Sequence, residues 1–256
     1  MSSGDWFLVP RRRPAARLRL FCFPHAGGSA AEYHGWAQAF GTDVEVWSAN
    51  LPGRAGRLHQ TPARRIRELI DGLHAALVSA LDRPFVFFGH SMGALLAFEL
   101  ARSLRQSSLA LPTHLLVSGH GAPQLPRQDH RWHELPDGEF LAKVRGLGGI
   151  PDDLFDRAEE RALLELLLPT LRADFEVAET WSYVAEPPLE VPIAAFGGID
   201  DREVSSEALD AWREQTERSF SRHLLAGNHF FIRTAHAELV ARIGRLISMT
   251  PLSAKH

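Results

Sequence analysis

Short apolar runs alternate with longer amphipathic stretches from Leu18 onward, the rhythm of β-α units and a mostly parallel sheet flanked by helices. The runs place strands near 18–23, 44–49, 85–88, 114–118, 192–196 and 221–225. Between them, helical patterning covers 29–40, 63–81, 92–106, 205–218 and 236–247. Trp6 to Val9 reads as an added edge strand.

This rhythm breaks between Gly119 and Glu190, where helical signals dominate and no strand-like run occurs. The segment from about 120 to 190 is therefore expected to be a helical lid inserted into one α/β domain spanning 1–256, a length compatible with a single large core. Within it, Phe140, Leu141, Val144 and Leu147 recur at helical spacing. Leu163, Leu164, Leu166, Leu167 and Leu168 make the next helix apolar on most faces, so it needs two apolar neighbours. One is the core. The other is either further packing or the wall of a substrate channel, for which Leu163, Leu164 and Leu167 are the candidates. Pro169 should end or kink this helix, and Leu171, Phe175, Ala178 and Trp181 continue its stripe.

Composition changes the picture only at the margins. A formal charge of −3 supplies no field suited to nucleic acid, so an acidic partner would have to meet a local patch such as Arg11–Arg13 or Arg64, Arg65 and Arg67. Both clusters read most simply as solvated charge. Cys22 is the only cysteine and sits in the run Leu20 to Phe23, where a buried thiol is expected. There is no apolar core of signal-peptide length at the N-terminus and no membrane-length run, so the expected setting is soluble and cytoplasmic, away from the membrane. His130 and His133 do not have the spacing of a zincin, and no metal is expected.

The chemistry is concentrated in Gly89-His90-Ser91-Met92-Gly93, fed by the run Phe85 to Phe88 and followed by a helical stretch. A serine at such a strand-to-helix turn is a nucleophile elbow, with its hydroxyl projecting from the top of the sheet. Ser91 needs a general base and the base an orienting acid, which α/β-hydrolases supply in the chain order serine, acid, histidine. His229, in Gly227-Asn228-His229-Phe230-Phe231 after the last strand, has the right position. For the acid, Asp201 is preferred, four residues into Gly198-Ile199-Asp200-Asp201, while Asp200 satisfies the same count from Gly197. Asp174, in the lid, reads as a buried structural carboxylate. The two oxyanion donors should be the N–H of Met92 and that of Ala26 in the loop Pro24-His25-Ala26-Gly27-Gly28. That loop lacks the spacing of a nucleotide cradle.

Taken with Leu51-Pro52-Gly53-Arg54, Leu135-Pro136-Asp137, Leu147-Gly148-Gly149-Ile150-Pro151, Leu168 to Phe175 and Phe196 to Asp201, these motifs run in order from about 18 to 247. In that order the chain resembles the type II thioesterases of polyketide and nonribosomal peptide biosynthesis. The resemblance implies an α/β-hydrolase fold with a helical lid over an acyl chamber, and it matches Ser91, Asp201 and His229 to the family's triad. It also implies hydrolysis of acyl groups from the phosphopantetheine thiol of acyl or peptidyl carrier proteins, with no cofactor beyond the phosphopantetheine that the substrate carries. The competing expectation is a free-standing carboxylesterase or acyltransferase acting on small esters with the same triad.

Overall fold

The computed structural model describes residues 6–126, 130–148 and 158–248, with side chains in the last segment from Leu164 onward. Its centre is a seven-stranded sheet: β1 (Phe7–Leu8), β2 (Leu18–Phe23), β3 (Val44–Ala49), β4 (Phe85–His90), β5 (His114–Ser118), β6 (Ile193–Gly198) and β7 (Phe220–Leu225). The spatial order is β1-β3-β2-β4-β5-β6-β7. Only β1 runs antiparallel, pairing Phe7 with Ala49; all other neighbours are parallel.

Both faces of β2 to β6 are buried almost throughout, which explains why these strands read as largely apolar runs, whereas the edge strand β7 is half-exposed. Odd-numbered side chains such as Phe21, Phe23, Phe85, Phe87, Leu115, Val117 and Ala195 enter one core cluster. Their even-numbered neighbours Leu20, Cys22, Val86, Phe88, Leu116, Ala194 and Phe196 enter the other. Each buried phenylalanine contributes about 1.5–3 kcal/mol relative to exposure. The first face is covered by α2 (Ile66–Leu77) and α3 (Met92–Gln106), the second by α1 (Trp36–Ala39) and α8 (His236–Ser248). Burial of Cys22 pushes its thiol well above the usual range, as an inert core thiol requires.

Two predicted helices are broken. The stretch 29–40 is a 3-10 turn, Ala30–Tyr33, capped by Ser29 and Glu32, followed after Gly35 by the single turn α1. The stretch 205–218 is α6 (Ser206–Asp210), tightening into a 3-10 segment over Ala211–Gln215. That tightening turns Trp212 inward, where it is buried against Phe98 and donates to the His120 carbonyl at 2.8 Å.

The segment between β5 and β6 carries α4 (Asp137–Gly146) and α5 (Ala158–Thr180). Phe140, Val144 and Leu171 close a third, smaller apolar cluster between them. α5 does not end at Pro169 but continues through it. α7 (Phe231–Thr234) and α8 complete the chain.

The parallel strands bring their carboxyl ends to one edge. β2 hands off to β3 on one side and sits against β4 on the other, so the connections diverge between β2 and β4. Ligand crevices of open α/β sheets form at that switch point, and here it lies between His25–Gly28 and Ser91.

Candidate active site

Ser91 sits between β4 and α3 at φ 55 and ψ −119, a conformation that costs a side-chain-bearing residue about 1–3 kcal/mol. The surrounding backbone enforces it. The Ser91 N–H donates to the Ser118 carbonyl at 2.7 Å and its own carbonyl accepts from Ala94 N–H at 2.9 Å. No side chain fits beside the turn, because a Cβ on Gly89 would lie 2.0 Å from the Gly93 carbonyl oxygen and one on Gly93 2.1 Å from that of Phe23. His90 is wholly buried and hydrogen-bonds the Ser118 hydroxyl through Nδ1 at 3.0 Å. Burial, reinforced by the charges of His229, His25 and Arg233, holds its pKa well below the usual imidazole value.

His229 follows β7 and lines the same cavity as Ser91. Its Nδ1 donates to Asp201 Oδ2 at 2.9 Å, which fixes the tautomer and leaves Nε2 available to a serine hydroxyl. The Asp201 side chain is fully buried, and its second oxygen accepts from Glu203 N–H at 2.9 Å and Val204 N–H at 3.3 Å. Asp200 is exposed, so of the adjacent pair it is Asp201 that meets the imidazole. Asp174 lies elsewhere, buried against Arg54.

Of the two expected oxyanion donors, Met92 directly follows Ser91 and Ala26 lines the same cavity as Ser91. Met92 N–H opens α3, and Ala26 N–H belongs to the turn His25–Gly28, closed by Gly28 N–H to the His25 carbonyl at 2.9 Å. Among the described residues no acceptor is paired with either N–H. The cavity itself measures about 390 Å³, within the range of small-molecule sites. A larger one of about 600 Å³ lies between residues 39–44 and α8, away from Ser91. Size therefore does not identify the site; the nucleophile does.

One wall is apolar and comes from the lid: Val144, Leu147, Leu164, Leu167, Leu171 and Phe175. Of the channel candidates, Leu164 and Leu167 line this cavity, while the Leu163 side chain lies outside the described residues. Leu166 is 52% exposed, so the leucine-rich turn is not enclosed all round. The opposite wall is polar. His25 Nε2 lies 3.0 Å from Glu32 Oε2, and Arg233 stacks over Phe230 beside them. Burial would raise the Glu32 carboxyl, but the hydrogen bond and charge of His25, with Arg233, hold it below the usual carboxylate range. Sequence reading singled out neither Glu32 nor Arg233. Glu32 was legible as the fourth residue of a Ser29 capping box; nothing marked Arg233.

A mostly parallel sheet covered on both faces, a strained serine at a strand-helix turn, and a histidine held by a buried aspartate after later strands define the α/β-hydrolase class. A thioesterase-domain family matches residues 18–247. The gramicidin S biosynthesis protein GrsT of Aneurinibacillus migulanus is 42% identical over 237 residues, which are 93% of this chain and 91% of that relative. Thioesterase PikA5 of Streptomyces venezuelae is 35% identical over 240 residues, 93% of this chain and 84% of PikA5. Among solved structures, the type II thioesterase BorB from the borrelidin biosynthetic cluster superposes with a TM-score of 0.87 at 37% identity, covering 96% of this chain and 98% of BorB. The chain belongs to the thioesterase domain family, and the structures it resembles include type II thioesterases such as BorB and, at 31% identity and a TM-score of 0.82, YbtT of the yersiniabactin NRPS/PKS pathway. No helix among the described residues is long and apolar enough to cross a membrane.

Proposed function

We propose that this protein hydrolyses acyl groups from the phosphopantetheine thiol of acyl or peptidyl carrier proteins in the cytoplasm, clearing stalled units from an assembly line. The observation that carries the reading is the His229–Asp201 pair beside the elbow serine, at one end of a cavity walled by lid leucines. Ser91 Oγ attacks the thioester carbonyl carbon while His229 Nε2 takes its proton. The oxyanion that forms is received by the N–H groups of Ala26 and Met92. Collapse breaks the C–S bond, His229 returns the proton to the departing thiol, and the acyl group remains on Ser91. Water then attacks the ester as His229 takes its proton, the acyl C–O bond breaks, His229 returns the proton to Ser91 Oγ, and the free acid leaves. Asp201 keeps Nδ1 protonated and stabilises the imidazolium in both halves. Every step uses groups of this chain, the substrate and water.

The test is a rate comparison between an octanoyl carrier protein and p-nitrophenyl octanoate, with Ser91→Ala alongside. The expected result is a kcat/KM at least about tenfold higher on the carrier thioester, a difference of ~1.4 kcal/mol in transition-state binding. Equal or reversed preference would favour a free-standing esterase. Near-normal turnover by Ser91→Ala would end the serine mechanism itself.

A further inference from the structure

The loop that offers Ala26 N–H does not stand on its own. Gly27 has a positive φ of 75, as the third residue of a type II turn requires, and the Ala26–Gly27 peptide is held at both ends. At one end His25 Nδ1 donates to the Ala26 carbonyl at 2.8 Å. At the other, Gly27 N–H donates to Asp174 Oδ2 at 2.7 Å, across 147 residues of sequence. Asp174 belongs to α5 of the lid, and Arg54 grips it through two parallel bonds: Nη1 to Oδ2 and Nη2 to Oδ1, each 2.7 Å. Arg54 Nη1 also donates to the Gly28 carbonyl at 2.9 Å. Both side chains are almost entirely buried, Asp174 at 1% exposure and Arg54 at 4%.

A buried ion pair of this kind contributes little net stability, because desolvation offsets the attraction. It does fix geometry, since a bidentate guanidinium holds a carboxylate in one plane. We infer that Asp174 and Arg54 are positioning residues for the oxyanion hole: the carboxylate of the lid helix, oriented by Arg54, holds the Ala26–Gly27 peptide so that Ala26 N–H faces the developing oxyanion. The same helix sends Leu164, Leu167 and Leu171 into the cavity. The helix that meets the acyl chain therefore also holds the loop that receives its carbonyl oxygen. This inference rests on the serine mechanism proposed above.

The experiment separates the carboxylate's acceptor role from the ion pair. Arg54→Met with Asp174→Leu replaces the pair by apolar side chains and leaves Gly27 N–H without an acceptor. Arg54→Met with Asp174→Asn removes the charge but keeps an amide oxygen for Gly27. Kinetics on p-nitrophenyl octanoate are read with the Ki of an octyl trifluoromethyl ketone, which forms a tetrahedral adduct with the serine. The Met/Leu variant is expected to lose roughly 10- to 100-fold in kcat with little change in KM, and to weaken the ketone by a matching factor. The Met/Asn variant should recover most of both.

A folded Met/Leu variant with unchanged kcat, or equal losses in both doubles, overturns the inference. Should Met/Leu fail to fold, the comparison passes to Asp174→Asn alone, whose amide nitrogen must face either Arg54 or Gly27. It should be slower than Met/Asn, and the reverse order overturns the inference. Ser91→Ala, run in parallel, reports separately on the serine mechanism, because its retained turnover would remove that reading and leave the clamp without an oxyanion to serve.

Discussion

Ser91→Gly should make the protein more stable than Ser91→Ala, although both are inactive. The perturbation isolates the backbone: alanine keeps the Cβ that makes φ 55 and ψ −119 unfavourable, while glycine removes it. Release of that strain is worth about 1–3 kcal/mol, against which glycine's freer unfolded chain costs roughly 0.5–1 kcal/mol. The difference is a net gain of about 1 kcal/mol for glycine over alanine. For a chain of this length, such a gain raises Tm by about 2–4 °C. Thermal unfolding and urea midpoints of the two variants, measured in one buffer, read it directly. The backbone bonds that enforce the turn, donated to the Ser118 carbonyl and accepted from Ala94 N–H, involve no side chain of residue 91 and persist in both. If Ser91→Gly unfolds at or below the Ser91→Ala midpoint, the elbow is not strained in the sense argued. The exposure of the nucleophile would then carry no stability cost.

Asp201→Asn should lower kcat by about 10⁴-fold, as expected when the acid that fixes the imidazole tautomer is lost, whereas Asp200→Asn should stay within about twofold; steady-state hydrolysis of an octanoyl carrier protein checks both, and the reverse ranking refutes the assignment. Leu164→Phe or Leu167→Phe should reduce octanoyl turnover by roughly tenfold or more while sparing acetyl turnover, the scale on which a pocket discriminates by one or two methylenes. Uniform effects across chain lengths in stable variants would make these leucines plain packing. Stability should fall toward acid pH through His90, whose folded pKa lies below the usual value while the unfolded chain takes up a proton near pH 6.5. Its contribution is present above that pH and is lost below it by up to ~1.4 kcal/mol per pH unit, until the folded group also titrates. Urea midpoints at pH 7.5 and 5.5 should therefore converge more closely in His90→Gln than in the wild type, with His114 and His223, also depressed by burial, leaving a residual slope. Identical pH dependence would exclude His90 as a source.

The strands were legible because a run buried on both faces has no alternative reading at that length, and all six predicted positions fall within two residues at either end. β4 extends past Phe88 to His90 because Gly89 and His90 pair with Val117 and Ser118, and β6 extends past Phe196 because Gly197 and Gly198 pair with Leu224 and Leu225. The position of Ser91 at a strand–helix turn and that of His229 after the last strand were legible from local context. The choice between Asp200 and Asp201 was not, since both satisfy the glycine count and only the loop's path buries one of them. Arg64 and Arg65, read as solvated charge, both pair with Glu176 on the lid helix. The Arg54–Asp174 pair was hidden for another reason. Its members are 120 residues apart, and no local pattern links them. A signal did exist on one side: Asp174 interrupts an apolar stripe between Ala173 and Phe175, and a carboxylate there requires a buried cation.

The lid helix divides into two parts with different jobs. From Thr170 onward α5 is tied to its surroundings by side-chain bonds: Thr170 donates to the Gly53 carbonyl at 2.5 Å, Asp174 takes Arg54 and Gly27, and Glu176 takes Arg64 and Arg65. Arg172 reaches the His133 and Leu135 carbonyls, and Glu179 accepts from the N–H groups of Trp132 and His133. Before Pro169, the described leucines of α5 are held by apolar contact alone: Leu164 is buried, Leu167 is partly open but lines the cavity, and Leu166 is exposed. Directional bonds hold one geometry, whereas apolar contact tolerates changes of volume at small cost. The half of α5 that reaches the oxyanion loop is thus the half that cannot shift without breaking bonds. Leu171 and Phe175 line the cavity from that fixed half, whereas Leu164 and Leu167 line it from the half that is free to be resculpted. Substitution at Leu164 and Leu167 is therefore expected to change the accepted acyl length without moving Asp174, because the constraints on the two ends of the helix are physically different.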